Sequence, residues 1–392
     1  MSTAMRQTGA MFVDAYRELA AGRLFWITLA LSGLIAGVFG AVGIDQEGMT
    51  ALWFRIPVPG LNSEVLPPAV LYKFLFFQFG LGIWLTWIAT ILALVTTAGI
   101  IPQLVSSGTI DSMIAKPIGR SRLFLTRCAT GLTFAAMQVT LFTSVAFLVI
   151  GIRGGEWLWT LFLAIPIVVV FFSYLFAIMA LIGLVTRSTI TSLLLTLLIW
   201  FMLFIVNTVD GSLVQFQEGA RLRQDALQQR IAEVEANTQL QYAAQKRREG
   251  VEIEEGYVAT PDELDSINPF LPLMRSSLDE SLESQRELDP WVDGLFLAKT
   301  VLPKTSETIG LLSRSIMSEE DLEAILGAFS SNDDRTEIDE ETGRVDVPQS
   351  ELSRSVNERM ESRSLVWVLG TSLMFEFIVL GVCCVVFARR DF

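Results

Sequence analysis

The chain has 392 residues, is 52% hydrophobic with a mean hydropathy of +0.49, and carries a formal net charge of −13. It contains no histidine, which excludes histidine-based metal sites, Ser-His-Asp triads and Cys-His dyads. Its apolar residues bunch into runs longer than about 18 residues, the pattern of a polytopic membrane protein. The acidic surplus, −17 over residues 210–363 against +4 elsewhere, argues against nucleic acid as a partner.

In chain order, residues 8–22 place Met11, Phe12, Tyr16 and Leu19 at helical spacing, with Asp14, Arg17 and Glu18 on the other face. This pattern predicts an amphipathic helix lying on the membrane surface; a solvated extension of the first span is the alternative. Nothing at the start reads as a cleavable signal peptide. Six spans are then predicted, at 24–43, 70–101, 123–150, 157–185 (kinked at Pro166), 188–209 and 365–387. Cys128, Cys383 and Cys384 all fall in apolar runs and are expected to be buried thiols.

Orientation follows from the basic residues near short loops. The loop 102–122, the link at Arg187, the N-terminal segment and the tail with Arg389 and Arg390 share one side if there are six spans. That side is expected to be cytoplasmic in a multi-pass protein of the cell (inner) membrane, with residues 210–364 opposite. The chain thus divides into 1–209 (surface helix and five spans), an extracytoplasmic insert at 210–364, and 365–392 (last span and tail). The expected fold is all-α: six transmembrane helices, an N-terminal interfacial helix and a mostly helical, coiled-coil-like insert.

Within the insert, residues 212–249 carry a stripe of Leu213, Phe216, Leu222, Leu227, Ile231 and Val234, predicting one long helix able to pair as a coiled coil. Helical pieces are expected at 261–264, 271–288, 291–301, 305–317 and 318–329, the last opened by the Ser-Glu-Glu-Asp start signal at Ser318. Residues 330–350 read as an acidic, turn-rich, mobile loop, and 353–363 lead helically into the last span.

The loop 102–122 carries the most function-bearing pattern. It is short, amphipathic and helix-prone, with Gly108, Ile110, Asp111, Met113 and Ile114 followed by a Lys116-Pro117-x-x-Arg120 ending. A helix of this kind could fill a groove on a soluble partner with its apolar face. Composition alone equally fits a plain positive-inside loop turning at Pro117–Gly119. Glu376, midway along the sixth span, is costly in lipid and so a candidate translocation-path residue; a structural hydrogen-bond partner or a dimer contact is the alternative. Gly33 and Gly37, extended by Gly40 and Gly43, offer a small-residue packing stripe.

The run Ser107–Arg120 resembles the cytoplasmic loop of ABC-2 type transporter permeases. The ending Phe387-Ala388-Arg389-Arg390-Asp391-Phe392 resembles their terminal Phe-x-Arg-Arg-Asp-apolar signature. The opening Phe12–Leu19 followed by Phe25-Trp26 resembles their N-terminal elbow helix. The likeness is greatest to the branch of multi-copper-enzyme maturation permeases, from which the chain departs by its enlarged external loop. The resemblance implies a permease subunit that couples ATP hydrolysis by a separate ABC ATPase subunit to export or envelope maturation. It also implies a second permease chain, contact with membrane lipid, and an ATPase-coupling role for the 108–120 residues named above. No Gly-x-x-x-x-Gly-Lys-Ser/Thr occurs, because Lys73, Lys116, Lys246, Lys299 and Lys304 are the only lysines and none follows a glycine. No enzymatic activity, cofactor or metal is therefore expected of this chain. A competing reading is a membrane-anchored relay that uses 210–364 to recruit an extracytoplasmic protein; an intramembrane enzyme has no supporting motif.

Overall fold

The structure is a computed structural model that describes residues 3–46, 48–51, 54–56, 62–63, 65–105, 119–250, 257–329, 337–338 and 345–389. Of the described residues, 86% are helical. Among the described residues, five helices are long and apolar enough to cross a membrane: α3 (Pro68–Val105), α4 (Arg120–Gly154), α5 (Trp159–Thr186), α6 (Thr189–Arg248) and α12 (Val366–Arg389). Two further N-terminal helices, α1 (Thr3–Ala20) and α2 (Arg23–Phe39), form a pair bent by 78°. The remaining helices are α7 (Pro261–Ile267), α8 (Leu271–Val301), α9 (Thr305–Ile316), α10 (Glu319–Phe329) and α11 (Gln349–Glu361). Short strands β1 (Val42–Asp45), β2 (Gly48–Ala51) and β3 (Phe54–Ile56) make an antiparallel meander that begins within the last residues of the span predicted at 24–43. A minimal hairpin pairs Ile338 with Val345 in the acidic segment.

The chain folds as two units. The first comprises Met1–Asn207, Lys299–Phe329 and Ser364–Phe392; the second comprises Thr208–Ala298 and Ser330–Arg363. Residues 299–329, which the sequence groups with the insert, thus belong with the apolar helices.

In the first unit α5 is the central helix. Of its most apolar stretch 72% is buried, against 22% for α6 and α12, which leave apolar faces open. Between helices in lipid, close van der Waals packing rather than water exclusion provides cohesion, and aromatic rings supply much of it. Phe25 packs on Phe134, Phe124 on Phe387, and Trp87 stacks on Trp200 at 4.8 Å between ring centroids. Helices α4 and α5 run antiparallel: Phe147 meets Phe162 at one end, while further along Gly131 faces the Phe176 ring edge. A Cβ at Gly131 would lie 2.9 Å from that ring, so only glycine allows this approach.

Local chemistry explains the breaks. Pro166 falls in the first turn of the α-helical part of α5, after a 3-10 turn over Trp159–Leu163. There a missing N–H costs nothing because first-turn amides have no intrahelical acceptor, so Pro166 marks a start rather than the expected mid-span kink. Arg187 takes a left-handed conformation (φ 54°) that ends α5 and turns the chain into α6. Within α3, Phe76–Ala89 is wound as a π-helix, and Thr86 and Thr90 hydroxyls donate to the carbonyls of Leu81 and Leu85, five residues back. Of the glycine stripe on α2, Gly33 and Gly40 face Leu141 and Val149 of α4, whereas Gly37 faces open space.

In the second unit, the expected boundary between span five and the insert helix is absent: α6 is one continuous helix of 60 residues. Its partners run antiparallel to it. Gln224 reaches Ser281 and Gln285 of α8, and Glu235 accepts from Arg275, also of α8. On α11, Arg363 at its end pairs with Asp210 at 2.9 Å, while Ser355 donates to Glu218. The buried stripe of α6 is Val214, Ala220, Leu227 and Ile231, interrupted by the buried polar Glu218 and Gln224; Phe216 is half exposed. Helix α8 continues through Pro290, merging the two pieces expected on either side of it.

Candidate functional site

Three arginines in the first two turns of α4 gather the sequence-flagged termini at one end of the first unit. The Arg120 guanidinium donates to the Ala388 carbonyl at the end of α12, 3.2 Å away. Arg122 donates to Thr8 Oγ1 of α1 at 2.6 Å. Arg127 donates to Glu18 Oε2 of α1 at 2.5 Å. The elbow forms because α1 is amphipathic: Ala15 is buried, Met11, Tyr16 and Leu19 pack on the core, and Asp14, Arg17 and Glu18 are exposed. The chain then bends at Ala21–Gly22, Trp26 Nε1 donates back to the Ala20 carbonyl, and Tyr16 meets Phe25 edge-on. Helix α3 ends at this face with Val105, and Gly119 precedes α4 in extended conformation. Of the expected coupling residues, Arg120 is placed here; Gly108, Ile110, Asp111, Met113, Ile114, Lys116 and Pro117 lie outside the described residues. Arg389 is exposed in the last turn of α12, and Arg390 and Asp391 lie outside the described residues.

Glu376 lies in the α5–α12 interface. It is buried, and Ser173 Oγ stands 2.8 Å from its Oε2 and 2.7 Å from the Val170 carbonyl. A serine has one hydroxyl proton, so it satisfies one of these acceptors at a time. No cation touches Glu376 among the described residues. Ser372, Glu376, Cys383 and Phe387 share the buried face of α12, and the next residue on α5, Tyr174, is fully buried with no hydrogen-bond partner for its hydroxyl among the described residues.

A second polar cluster involves the segment 299–329. Three of the five lysines are buried here. Lys73 of α3 bridges Asp321 (3.0 Å) and Glu156 (3.3 Å). Lys299 pairs with Glu307. Lys304 donates to Thr371 Oγ1, and its ammonium lies 4.3 Å from the centre of the Trp367 ring. The Lys304 amide also donates to Ser372 Oγ, and Asn207 donates to Thr305. The Ser318 start signal is realised as a reciprocal cap: the Ser318 amide donates to Asp321 and the Asp321 amide to the Ser318 hydroxyl. Burial opposes ionisation of Asp321, but the Ser318 amide and the Lys73 ammonium outweigh it and hold the carboxyl below its usual range. Leu312, Ile316 and Ile325 complete the attachment in a core shared with Leu71, Leu161 and Val168.

The sequence reading missed this second cluster. Lysines in or beside apolar runs were the available signal, since a buried ammonium needs a partner. No family model matches the chain, and no curated protein and no solved structure matches it.

Proposed function

We propose that the chain is the permease subunit of an ABC-2 type transporter, driven by a separate ABC ATPase subunit. The observation that carries this reading is the convergence of elbow helix, α4 start and α12 end on one face through Arg120, Arg122 and Arg127. Span parity already brings these three segments to one side; what supports the reading further is that side chains at the α4 start bind the elbow helix and the end of α12 directly. In this reading α1 is the interfacial elbow and α2 the first of six spans. Both termini and the 106–118 loop are cytoplasmic, and residues 210–364 are extracytoplasmic. The ATPase docks on the loop and the α4 start, a second permease chain completes the transporter, and Glu376 stands beside the translocation path. The paired helices of the second unit form a coiled-coil-like module suited to an extracytoplasmic protein.

Purification of the tagged chain from its native membranes tests this: an ATPase should co-purify, and its complete absence would refute the reading. Charge reversal at Lys116 and Arg120 should release the ATPase while leaving the chain monodisperse; retention would remove the loop from the coupling role. The relay reading draws on the second unit having its own core around Tyr242, Leu264 and Leu271. Replacing that unit by short linkers while keeping 299–329 separates the two, since a permease keeps its ATPase and a relay loses all activity.

A further inference from the structure

We propose that the cavity beneath the elbow helix binds the phosphate headgroup of an anionic membrane lipid. The cavity measures about 270 Å³ and is lined by α1, α2, α3 and α4. Arg127 lines it while only 9% exposed, and its sole hydrogen-bond partner among the described residues is Glu18, through one nitrogen. A guanidinium carries five N–H donors in a planar fork that suits phosphate, so most of this buried cation's donors remain for a ligand. Arg23 lines the same cavity and has no ion-pair partner among the described residues. With Glu18 the lining groups still sum to one positive charge, and the Gln103 amide lies alongside.

The rest of the wall is apolar, including Leu24, Phe25 and Ile100. A phosphodiester attached to an acyl chain matches both halves of this lining. Inorganic phosphate would leave the apolar wall unused, and a bare acyl chain would leave the net positive charge of the lining unmatched. The amphipathic character of α1 places such a cavity at headgroup depth. This inference concerns the elbow and is independent of whether an ATPase docks nearby.

The test is native mass spectrometry of the full detergent-solubilised chain titrated with phosphatidylglycerol, phosphatidylcholine or inorganic phosphate. Phosphatidylglycerol should remain bound at about tenfold lower concentration than phosphatidylcholine, because both present a phosphodiester but the choline ammonium is repelled by the net positive lining. Arg23→Gln and Arg127→Gln should each weaken it by about tenfold, and Arg127→Lys should recover part of the loss. Arg127→Gln also removes the Glu18 tie, so the exposed Arg23→Gln decides the matter if the other variant unfolds. Equal phosphatidylglycerol binding by the wild type and Arg23→Gln would overturn the proposal. Displacement of the lipid by millimolar inorganic phosphate would overturn the lipid assignment and leave a soluble-phosphate site.

Discussion

Arg127 of α4 and Glu18 of α1 form an ion pair of 2.5 Å in which one side chain is 11% exposed and the other 54%. The asymmetry sets what each removal costs. Glu18→Leu leaves a buried guanidinium without its anion; because the carboxylate side is open to solvent, the loss should be about 1 kcal/mol, or a fall of about 2–4 °C in Tm. Arg127→Leu removes the buried charge itself and should cost less than the sum of its contacts suggests, since replacing a buried ion by an apolar side chain saves desolvation. Thermal unfolding of both single variants and the double variant in detergent gives the coupling energy directly. A coupling of zero would mean that this pair adds nothing to the hold of the elbow, leaving the Arg122–Thr8 bond and the apolar contacts of Met11, Tyr16 and Leu19 to fix it.

The approach of α4 to α5 rests on Gly131 against Phe176. Gly131→Leu should overpack this contact and destabilise the first unit by about 1–3 kcal/mol. Phe176 is itself buried, so its ring has nowhere to swing. The double change Gly131→Ala with Phe176→Leu exchanges volume across the interface and should recover most of the loss, as read by size-exclusion homogeneity and Tm.

Asp321 and Lys73 should make the attachment of α10 sensitive to acid. The folded-state pKa of Asp321 lies below its usual value. Its contribution is therefore complete above the usual carboxylate range and is lost as pH falls through the lowered value. Asp321→Asn should flatten the acid limb of the Tm–pH profile below about pH 4. At neutral pH it should cost about 3 kcal/mol, the usual consequence of breaking a buried pair, moderated by Glu156, which remains 3.3 Å from Lys73. Hydrogen exchange across α10 localises the effect.

The helices were legible in the sequence to the extent that burial was uniform along them. Apolar runs announce α3, α4, α5 and α12, because a span is recognised one residue at a time. The membership of residues 299–329 was not legible. Helix α9 has the polarity of an ordinary surface helix, and only the partners of Glu307 and Thr308 on α9 and of Asp321 on α10 reveal that polar residues of this segment point inward. The stripe on α6 holds at Leu227 and Ile231 and misses its polar members for a related reason. Glu218 and Gln224 are buried because α11 and α8 supply Ser355, Ser281 and Gln285, and such distant partners leave no mark on local periodicity. At the candidate site the sequence singled out the elbow, the α4 start and the tail separately. It could not show that Arg120, Arg122 and Arg127 tie them together, since three arginines near a span end also satisfy the positive-inside pattern.

The second unit offers a prediction with opposite signs at its two pH extremes. Tyr242 and Tyr257 hydroxyls donate to the two oxygens of Glu263, 2.7 and 2.9 Å away, while the Thr260 amide donates to Oε2 as part of a capping box that opens α7. The Tyr242 bond, with the Thr260 amide and Tyr257, lowers the Glu263 carboxyl to about 2, and the same bond to Glu263 raises Tyr242 to about 12. The lowered carboxylate stabilises the folded unit above the ordinary glutamate range and loses that effect as pH falls through about 2. The raised phenol stabilises it below the ordinary tyrosine value and loses that effect as pH rises towards about 12. Glu263→Gln keeps a hydrogen-bond acceptor for one tyrosine but no charge. It should speed amide exchange over α7 at pH 7 and bring the ultraviolet-detected titration of Tyr242 back towards that of a free phenol. Tyr242→Phe should speed exchange less, because Tyr257 and the Thr260 cap still hold the carboxylate. If the tyrosine titration were the same with and without Glu263, the hydrogen bond would not persist in solution, and the attachment of α7 would rest on Leu264 and Leu271 packing beneath it.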